Sequence, residues 1–399
     1  MKRRVAITGL GVVSPLGNDL PQFVERLLAG ESPAGPITVF DPASLITRIA
    51  AQAETPEVTP DRKVGFALAA ARAAIEDAFH PGSHYPAGSG GLSFGIGLEL
   101  FSMPDMVRLL NGQPDTSKHP LTFLQTPSDL CLHLVSREHR LGRPPLLHVS
   151  ACAASTDAIG AAFRMIRSGE REWMLAGGSD SMINPMGVAG FCKIQAMTSR
   201  NDEPKRASRP FDRDRDGFLL GEGAGVLVLE PLEAALARGA RIYGEIRGYG
   251  CSFDAHGISE PHPQAEGAVL AMQRALADAG VKPTEVGYVN AHATSTPKND
   301  PIETLGIRRV FGGHAERLKV NATKSMIGHL ISAAGAVETI AQLACGAHGW
   351  VHPTINLENP DPACDLDYVR EPRRAHRQVF LKNSFGFGGQ NASLVVQTA

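Results

Sequence analysis

The chain lacks the features that mark several classes of protein. None of its apolar runs approaches the roughly 20 residues of a membrane-spanning helix, so no transmembrane segment is predicted. An excess of one charge is also lacking, because a formal net charge of −2 gives no general attraction to nucleic acid or to an anionic membrane. With 399 residues, 43% hydrophobic and 20% charged, the composition is that of a soluble globular enzyme. The length suggests about two to three domain-sized units.

The six cysteines lack paired spacing. No two stand as CxxC and none adjoins a pair of histidines, which argues against a disulfide scaffold and against a zinc site. Reduced thiols in a cytoplasmic enzyme are the expected state. The N-terminus has basic residues before an apolar run, but that run is short and reaches Pro15 without a clear cleavage site. A first strand and turn is therefore predicted rather than a signal peptide.

One cysteine lies in a pattern that favours a chemical role. Leu146 to Val149 predict a buried strand, small residues surround Cys152, and the helical pattern that follows ends at Gly169. Cys152 would then lie at a strand-to-helix turn, where backbone N–H groups and the helix dipole favour a nucleophilic thiolate. A free cysteine is also often a small buried hydrophobe, so the pattern alone leaves both interpretations open.

Strands and helices alternate along the chain. Apolar spacing predicts helices over 61–79, 265–279 and 301–311, and strands over 173–178, 225–230, 242–250, 286–290 and 393–397. Asp61 is the predicted N-cap of the first of these helices. Residues 99–119 are interpreted as an excursion from the core, 184–209 as irregular and 209–218 as a charged surface loop. The alternation indicates a layered α/β fold with mostly parallel sheets.

Two segments share one order of elements. Residues 148–169 and 319–346 each run from a short strand through a polar loop into a small-residue helix and end at a glycine. This weak repeat predicts two αβ halves of related topology. Because Cys152 belongs to the first half, a site that also uses residues of the second would lie at the junction of the halves.

Three ionisable residues of the second half stand at positions suited to catalysis. His292 follows an apolar strand, at the end where ligands bind in open α/β sheets, and Lys324 and His329 flank a glycine-containing loop. Singly, each also fits a structural or solvated role. Together, two neutral histidines could stabilise an enolate beside an acylated thiol, while a lysine could lower a histidine pKa. The glycine-rich loop 386–389 could supply an oxyanion-hole N–H and a mobile aromatic gate, or be only a tight turn.

The sequence resembles the β-ketoacyl-acyl-carrier-protein synthases, the decarboxylating condensing enzymes of the thiolase-like fold. It is most similar to the type II elongating kind. The matching segments occur in family order along the full length: ITGLGVVSPLG, SACA, RPFDRDRDGFLLGEGAGVLVLE, NAHATSTPKND, TKSMIGHLISAAGAVE, PTINLENPD and NSFGFGGQNA. The resemblance implies a layered αβαβα sandwich made of two related αβ halves, residues 1–240 with the cysteine and residues 241–399 with the histidines, lysine and GFGG loop.

The resemblance also implies roles by position. Cys152 would be the acyl-accepting nucleophile, His292 and His329 the histidine pair, Lys324 the family's lysine, Glu338 its buried glutamate, Asp300 the acidic residue of the histidine loop, Thr294 and Thr296 the pantetheine-binding threonines, and Phe387 the gate. The backbone N–H groups of Cys152 and Phe387 would form the oxyanion hole. No metal and no cofactor is implied, because the pantetheine arm arrives on the carrier protein. Residues 99–131 and Phe191 are expected to line or cap the acyl pocket.

The implied reaction has three steps. Cys152 takes an acyl chain from an acyl-carrier protein, a malonyl-carrier protein loses CO₂, and the carbanion attacks the thioester to give a β-ketoacyl product two carbons longer. A homodimer is expected, with a heterodimer containing a chain-length-factor-like partner as the alternative. The carrier protein is acidic, so basic residues should surround the pocket mouth. Candidates are Arg62, Lys63, Lys205 and Arg206.

Several residues depart from the family pattern near the expected centre. Ala293 replaces the usual glycine, Ala154-Ser155 replaces Thr-Gly, Gln390 replaces a common threonine, and Lys298-Asn299 replaces smaller residues and glycine. A ketosynthase of a specialised type II polyketide or polyene pathway is therefore the alternative function. A non-catalytic chain-length factor lacks the cysteine, and a thiolase generally has a second cysteine near the C-terminus, so both fit less well.

Overall fold

The computed structural model describes residues 2–55, 57, 59, 61–79, 88–97, 100–101, 107–108, 110–113, 125–126, 129–376 and 378–399. The strands are β1 Val5–Val13, β2 Gly35–Pro36, β3 Ile49–Ala50, β4 Gly91–Ile96, β5 Leu100–Phe101, β6 Gln125–Thr126, β7 Leu146–His148, β8 Met174–Asp180, β9 Gly223–Pro231, β10 Gly244–Phe253, β11 Val286–Asn290, β12 Lys319–Asn321, β13 Trp350–Val351, β14 Asp367–Tyr368, β15 Arg373–Arg374, β16 Val379–Phe385 and β17 Gln390–Thr398. The helices are α1 Leu20–Leu28, α2 Arg62–Ala78, α3 Leu130–Glu138, α4 Ala154–Ser168, α5 Pro185–Lys193, α6 Leu232–Ala237, α7 Glu266–Ala279, α8 Asn299–Phe311, α9 Lys324–Ile327 and α10 Ala334–Ala347. Most of the predicted excursion over 99–119 lies outside the described residues.

Eleven strands form one hydrogen-bonded sheet in the order β14-β12-β11-β16-β17-β10-β1-β9-β8-β4-β7. Pairing is parallel towards both edges and antiparallel through the centre, from β16 to β8. The expectation of mostly parallel sheets is therefore wrong for the central strands. The hairpin from β16 to β17 shows one reason, because the four residues of loop 386–389 can join only antiparallel neighbours.

The two sides of this sheet repeat one topology. Reading outwards from the β1–β10 junction, β1-β9-β8-β4-β7 on one side matches β10-β17-β16-β11-β12 on the other, with the same change from antiparallel to parallel pairing. This confirms two related αβ halves. The boundary predicted between residues 240 and 241 falls in the connection between α6 and β10, and it stays a prediction.

Helices cover both halves and also lie between them. α2 packs on β1, β9 and β8, whereas α7 packs on β10 and β17 and against α8. α4 and α10 pack against each other and contact strands of both halves. The result is the layered αβαβα sandwich that the sequence predicts. No helix among the residues described here is long and apolar enough to cross a bilayer.

Small residues let the two central helices approach closely. A Cβ atom placed on Gly335 of α10 would lie 2.0 Å from the Thr156 Oγ1 of α4, so only glycine allows this contact. α4 ends as predicted at Gly169, whose φ of 84° suits glycine. The predicted N-cap of α2 is also confirmed, because the Asp61 carboxylate accepts a hydrogen bond from the Lys63 N–H at 3.1 Å. The close approach of Gly335 to Thr156 fixes the start of α4 against the start of α10.

Candidate active site

Cys152 lies in a tight helical turn directly before the central helix α4. The turn spans Ala151–Ala153, follows strand β7, and forces Ala151 to a φ of 47°. Only 3% of Cys152 is exposed. The predicted strand-to-helix position is therefore confirmed, and the strained residue before the thiol fixes its direction.

His329 is in direct contact with this thiol. Its Nε2 atom lies 3.0 Å from the Cys152 Sγ, and its Nδ1 atom accepts a hydrogen bond from the Ile331 N–H at 3.2 Å. An imidazole nitrogen that accepts a hydrogen bond cannot carry the proton, so the neutral ring holds its proton on Nε2. The backbone of His329 is bonded to Leu219 and Gly221, which lie on the segment leading into β9. The side chain thus presents an N–H group to the sulfur.

His292 follows strand β11 and faces the same space. The centroids of the His292 and His329 rings lie 5.4 Å apart. The Lys324 ammonium donates to the His292 carbonyl oxygen at 2.7 Å and lies 3.4 Å from its Nδ1 atom. This contact also places the proton of the neutral ring on Nε2. The structure thus brings together the cysteine, both histidines and the lysine.

Burial keeps both histidines neutral. Desolvation lowers the pKa of His292 and of His329 well below 6.5, and the charges of Lys324 and Lys382 lower both further. Neutral rings with protons on Nε2 can donate two hydrogen bonds to one oxygen atom. Such a pair can stabilise the negative charge of an enolate or an oxyanion.

Burial acts on the thiol in the opposite direction from the prediction. Desolvation raises the pKa of Cys152 to about 11, although the Phe387 backbone N–H and the Lys324 charge lower it. Backbone N–H groups lower the Cys152 pKa, as predicted, but burial outweighs them in the resting site. The sulfur is held as a thiol at neutral pH, and its proton must leave when it attacks.

A buried carboxylate lies between two ammonium groups behind the histidines. Glu338 Oε1 lies 2.5 Å from Lys324 Nζ, and Glu338 Oε2 lies 2.7 Å from Lys382 Nζ. Glu338, which was predicted to support the site, is thus the central residue of a Lys–Glu–Lys cluster. Lys382 was not predicted, because a lysine inside the apolar strand β16 gives no local sign of its partner on α10.

Glu303 is a second carboxylate that sequence analysis missed. Its two oxygens accept hydrogen bonds from the backbone N–H groups of His292 and Ala293, each at 2.8 Å. The Asn383 Nδ2 donates a third bond at 3.2 Å. Glu303 lies on α8, one turn after Asp300. An acidic residue one turn further along the helix that follows the histidine loop was the signal in the sequence that could have indicated it. The carboxylate fixes the backbone that carries His292.

Asp300 supports the same loop from its other end. Its carboxylate accepts hydrogen bonds from the backbone N–H groups of Phe211 at 2.9 Å and Ser295 at 3.2 Å. Arg215 lies 3.8 Å from Asp300 and donates to the Thr296 carbonyl oxygen at 3.0 Å. The pKa of Asp300 is raised by burial, which the Arg215 charge opposes.

The interpretation of residues 209–218 as a charged surface loop is wrong for most of the segment, where only Arg213 and Asp214 are exposed. Arg209, Asp212 and Arg215 are buried there. Asp212 accepts from the backbone N–H groups of Glu358 and Asn359 at 2.8 and 2.7 Å. Alternation of charge suggested solvent, but distant backbone groups satisfy these side chains. Similarly, the stretch 184–209, expected to be irregular, contains helix α5.

One cleft of about 220 Å³ leads to these groups. Cys152, His292 and His329 line it, together with Thr294 and Thr296, whose hydroxyl oxygens lie 2.9 Å apart. Hydroxyl groups along a narrow cleft can bind the amide groups of an extended arm. The predicted threonines therefore line the approach to the thiol.

Phe387 lines the cleft on the loop between β16 and β17. Its ring lies 6.5 Å from that of Phe191, which packs edge-to-face on Phe218 at 5.3 Å. Phe218 in turn lies 5.4 Å from the His329 ring. Phe191 was expected to line or cap the pocket, and it packs here as one of a row of aromatic rings from Phe387 to His329. The loop itself needs glycine, because Gly388 has a φ of 85°.

Models of a known protein family match most of this chain. A model described as the β-ketoacyl synthase N-terminal domain matches residues 2–235, and one described as the C-terminal domain matches residues 243–358. The chain belongs to the β-ketoacyl synthase family. It is therefore a condensing enzyme of the acyltransferase type.

Individual relatives agree with the family. The synthase is 42% identical to the 3-oxoacyl-[acyl-carrier-protein] synthase 2 of Synechocystis sp., over 98% of this chain and 97% of the relative. A β-ketoacyl synthase from Burkholderia phymatum superposes with a TM-score of 0.90 at 35% identity, over both complete chains. A type II polyketide ketosynthase, solved in complex with its acyl-carrier protein and bound to a hexaketide, superposes with a TM-score of 0.89 at 30% identity, again over both complete chains.

The departures from the family pattern have visible structural effects in this synthase. Ala293 is buried with a φ of 41°, so an alanine is held there in a backbone conformation that favours glycine. Ser155 Oγ accepts a hydrogen bond from the Ala336 N–H at 3.0 Å and thereby joins α4 to α10. Lys298 pairs with Glu260, and both line the cleft. Nothing in the structure explains Gln390.

The donor set of the site is also that of a zinc centre. One ligand atom each from Cys152, His292 and His329 lies within 4.8 Å of the others. Metal-bound histidines usually donate the proton of their second nitrogen to an acceptor. Here the second nitrogens accept hydrogen bonds or face an ammonium, which puts the protons on the atoms that would bind the metal. The side chains around the synthase site thus favour proton donation over metal binding, and the predicted lack of a metal stays a prediction.

The proposed docking residues of the synthase do not form one group. Lys63 is only 2% exposed and lies 3.0 Å from the Asp61 carboxylate, so its selection as a docking residue is wrong. The Arg62 guanidinium forms a salt bridge with the Glu222 carboxylate at 2.5 Å. Lys205 and Arg206 are exposed, as a docking residue must be.

Proposed function

We propose that the protein catalyses decarboxylative Claisen condensation of an acyl chain held on Cys152 with a malonyl-acyl-carrier protein, in fatty-acid-type chain elongation. One observation carries the proposal. A thiol and two imidazole Nε2–H groups, of Cys152, His329 and His292, meet at one cleft. A thiol accepts an acyl group, and two N–H donors stabilise an enolate, which are the two requirements of this reaction.

The first step transfers the acyl chain to Cys152. The sulfur attacks the thioester carbonyl carbon of the acyl-carrier protein, and the backbone N–H groups of Cys152 and Phe387 bind the oxyanion. The carbon–sulfur bond to the carrier then breaks, and the departing carrier sulfur takes up the proton that Cys152 releases. One thioester replaces another, so the step needs no cofactor. Thr294 and Thr296 bind the pantetheine arm that the carrier brings.

The second step removes CO₂ from the malonyl group. The malonyl thioester oxygen accepts hydrogen bonds from the Nε2–H groups of His292 and His329. The bond to the carboxylate carbon breaks, CO₂ leaves, and its electron pair forms an enolate. Because both rings are neutral, their hydrogen bonds strengthen as the oxygen becomes negative. Lys324 holds His292 in the tautomer that donates.

The third step forms the new carbon–carbon bond. The enolate carbon attacks the thioester on Cys152, the carbon–sulfur bond breaks, and the Cys152 sulfur takes up a proton from solvent. The product is a β-ketoacyl-acyl-carrier protein two carbons longer. Phe387, whose ring packs on Phe191, moves to admit each substrate in turn.

One edge of the sheet indicates how the synthase could pair with a second subunit. Strand β7 ends the sheet with Leu147 and the adjacent Val149 exposed by 39% and 60%. An open edge with apolar side chains suits pairing with a second copy, so we propose a homodimer through β7. A heterodimer with a chain-length-factor-like partner is the alternative, and native mass measurement with and without neighbouring gene products distinguishes them. All six cysteines are unpaired, as a reducing cytoplasm would keep them.

A specialised type II polyketide or polyene ketosynthase is the second candidate. Its support is the polyketide ketosynthase that superposes on this chain, together with the departures around the cleft. A chain-length factor fits poorly because Cys152 is present beside both histidines. A thiolase fits poorly because, among the residues that line the described cleft, Cys152 alone carries a thiol.

Mass spectrometry of the intact protein tests the function. The synthase is mixed with a panel of carrier-bound saturated, unsaturated and β-keto acyl chains, and then with malonyl-acyl-carrier protein. An adduct on Cys152 with saturated chains, followed by CO₂ release and a product two carbons longer, supports fatty-acid-type elongation. Adducts confined to polyene or β-keto chains support the specialised alternative. Condensation of acetyl-CoA without CO₂ release would overturn both.

A further inference from the structure

Lys382 is a lysine with no contact with solvent. It lies on strand β16 with 0% exposure, and its ammonium is surrounded by oxygen atoms. Glu338 Oε2 lies at 2.7 Å, Ser384 Oγ accepts at 3.3 Å, and the Asn383 carbonyl oxygen is in direct contact. Burying an ammonium is strongly unfavourable unless it is paired in this way. The site is therefore built around a charged lysine.

Lys382 shares its carboxylate with the lysine of the histidine pair. The two oxygens of Glu338 bind one ammonium each, Lys324 at 2.5 Å on Oε1 and Lys382 on Oε2. With only one ammonium, the carboxylate would be free to rotate towards it with both oxygens. The second ammonium fixes the plane of the carboxylate and thereby the position of Lys324.

The cluster is electrically neutral only when Lys382 is charged. Within this cluster the buried carboxylates are Glu338 and Glu303, and the buried cations are Lys324 and Lys382. The nearby buried Asp300 has its own cation in Arg215. Asn383 joins the two parts, because its carbonyl oxygen contacts Lys382 and its Nδ2 donates to Glu303 at 3.2 Å. Without Lys382, one negative charge in this buried space would lack compensation.

We propose that Lys382 is a positioning residue of the active site, whose ammonium holds Glu338 in place and thereby directs Lys324 towards the histidine pair. It also supplies the second positive charge that the two buried carboxylates require. This inference rests on the proposed decarboxylation and adds a residue to it. Lys382 acts through Glu338 and Lys324.

The proton on Lys382 is weakly held. Burial lowers the pKa of Lys382 to about 8, and the Lys324 charge adds to this effect, whereas Glu338 and Glu303 oppose it. The other titratable groups that its charge reaches are His292 and His329, whose pKa values it lowers. Above pH 8 the cluster gains a net negative charge. Negative charge behind the histidines opposes the developing enolate, so decarboxylation should fall there.

The test measures malonyl-carrier-protein decarboxylation from pH 6 to pH 10. We expect the rate of the wild-type protein to fall above about pH 8. Lys382→Arg keeps its charge over the whole range, so this fall should disappear. Lys382→Met should lose about 10–100-fold of the rate at pH 7 and show no step near pH 8, while Cys152 is still acylated. Lys63→Met is the matched control, a buried lysine paired with Asp61, and it should keep the step.

Two results would overturn the inference. One is a Lys382→Met variant that decarboxylates within about threefold of wild type at pH 7, since supporting residues of a site usually contribute more. The other is a Lys382→Arg variant that keeps the step near pH 8. If Lys382→Met does not fold, the arginine variant decides alone.

A second measurement separates this inference from the proposed function. In carbon-13 NMR of protein labelled at the lysine Cε, the Lys382 signal is the one that is missing from the Lys382→Arg spectrum. Its chemical shift is followed as the pH is raised. A midpoint near pH 8 supports the proposed loss of the Lys382 charge above pH 8, and a midpoint at or above the ordinary value of about 10.4 overturns it. This readout needs no turnover. A wild-type protein that releases no CO₂ would overturn the proposed function, whereas the NMR midpoint judges Lys382 independently.

Discussion

The Nε2–H group of His329 points at the sulfur of Cys152 over 3.0 Å, although the two residues are 177 positions apart in the chain. The Ile331 N–H bonded to Nδ1 of the same ring fixes that direction. The resting thiol therefore faces a donor rather than a base. His329 stabilises a sulfur that has lost its proton, but it does not remove the proton in this tautomer.

Replacement of the nucleophile should separate two activities. Cys152→Ala is expected to abolish the acyl adduct and chain elongation, because no thioester can form. Cys152→Gln should also lose elongation but keep malonyl decarboxylation, since a carboxamide imitates the thioester and the histidine pair remains. Adduct mass and CO₂ release measure the two effects. Elongation by Cys152→Ala at the wild-type rate would contradict the assignment of the nucleophile.

Alkylation of Cys152 should increase far into the alkaline range. Its pKa is raised to about 11, so the protonated form persists until that pH and the thiolate fraction grows about tenfold per pH unit below it. The iodoacetamide rate, followed by adduct mass, should therefore still be rising between pH 9 and pH 10. Cys152→Ala gives the background from the other cysteines. A rate that levels off below pH 9 would show that the thiol ionises more easily than its burial indicates.

Loss of the Glu303 carboxylate should destabilise the histidine loop. In Glu303→Ala the backbone N–H groups of His292 and Ala293 would lose their acceptors, at about 1–3 kcal/mol for each buried group left unpaired. We expect the free energy of unfolding to fall by about 2–5 kcal/mol and decarboxylation to fall with it. Glu303→Gln keeps one acceptor oxygen and should lose less. Urea titration of both variants checks the order, and equal stabilities would contradict it.

Two neighbouring arginines should differ sharply in their effect on stability. Arg215 is buried, with Asp361 at 2.7 Å and the buried Asp300 at 3.8 Å, so Arg215→Ala leaves the Asp300 carboxylate without its cation and should cost about 3–5 kcal/mol. Arg213 lies two positions away with 67% of its side chain exposed, and Arg213→Ala should change stability by no more than about 0.5 kcal/mol. Thermal unfolding measures both. Similar losses would mean that the RDRDG segment is not an internal support.

The sequence was sufficient for several of the regular elements and for the side chains that meet at the cleft. Apolar periodicity placed both ends of α2 to within one residue, with Asp61 as its N-cap, and it placed the end of α4 at Gly169. Motifs brought Cys152, His292, Lys324 and His329 together correctly. These features depend on local spacing or on a match to a family, both of which one chain displays directly.

The residues that hold the reacting groups could not be found in the same way. Lys382, Glu303 and Arg215 appear as ordinary charges in the sequence, because their partners lie 44, 10 and 85 positions away, on Glu338, Ala293 and Asp300. Charge normally indicates solvent, so the segment around Arg215 was placed outside. The resting state of Cys152 was also missed, since desolvation depends on packing that no local pattern records.

Because the hairpin of β16 and β17 follows the other site residues in the chain, it determines when the site can be completed during synthesis. Its loop carries Phe387, whose backbone N–H donates to the Cys152 sulfur, and β17 lies inside the sheet between β16 and β10. The loop can close only after the ribosome has released the residues up to Thr398, long after Cys152 has emerged. Until this hairpin joins the sheet, Cys152 lacks the backbone N–H that Phe387 supplies. The order of the elements thus makes the cysteine and its Phe387 partner meet late in folding.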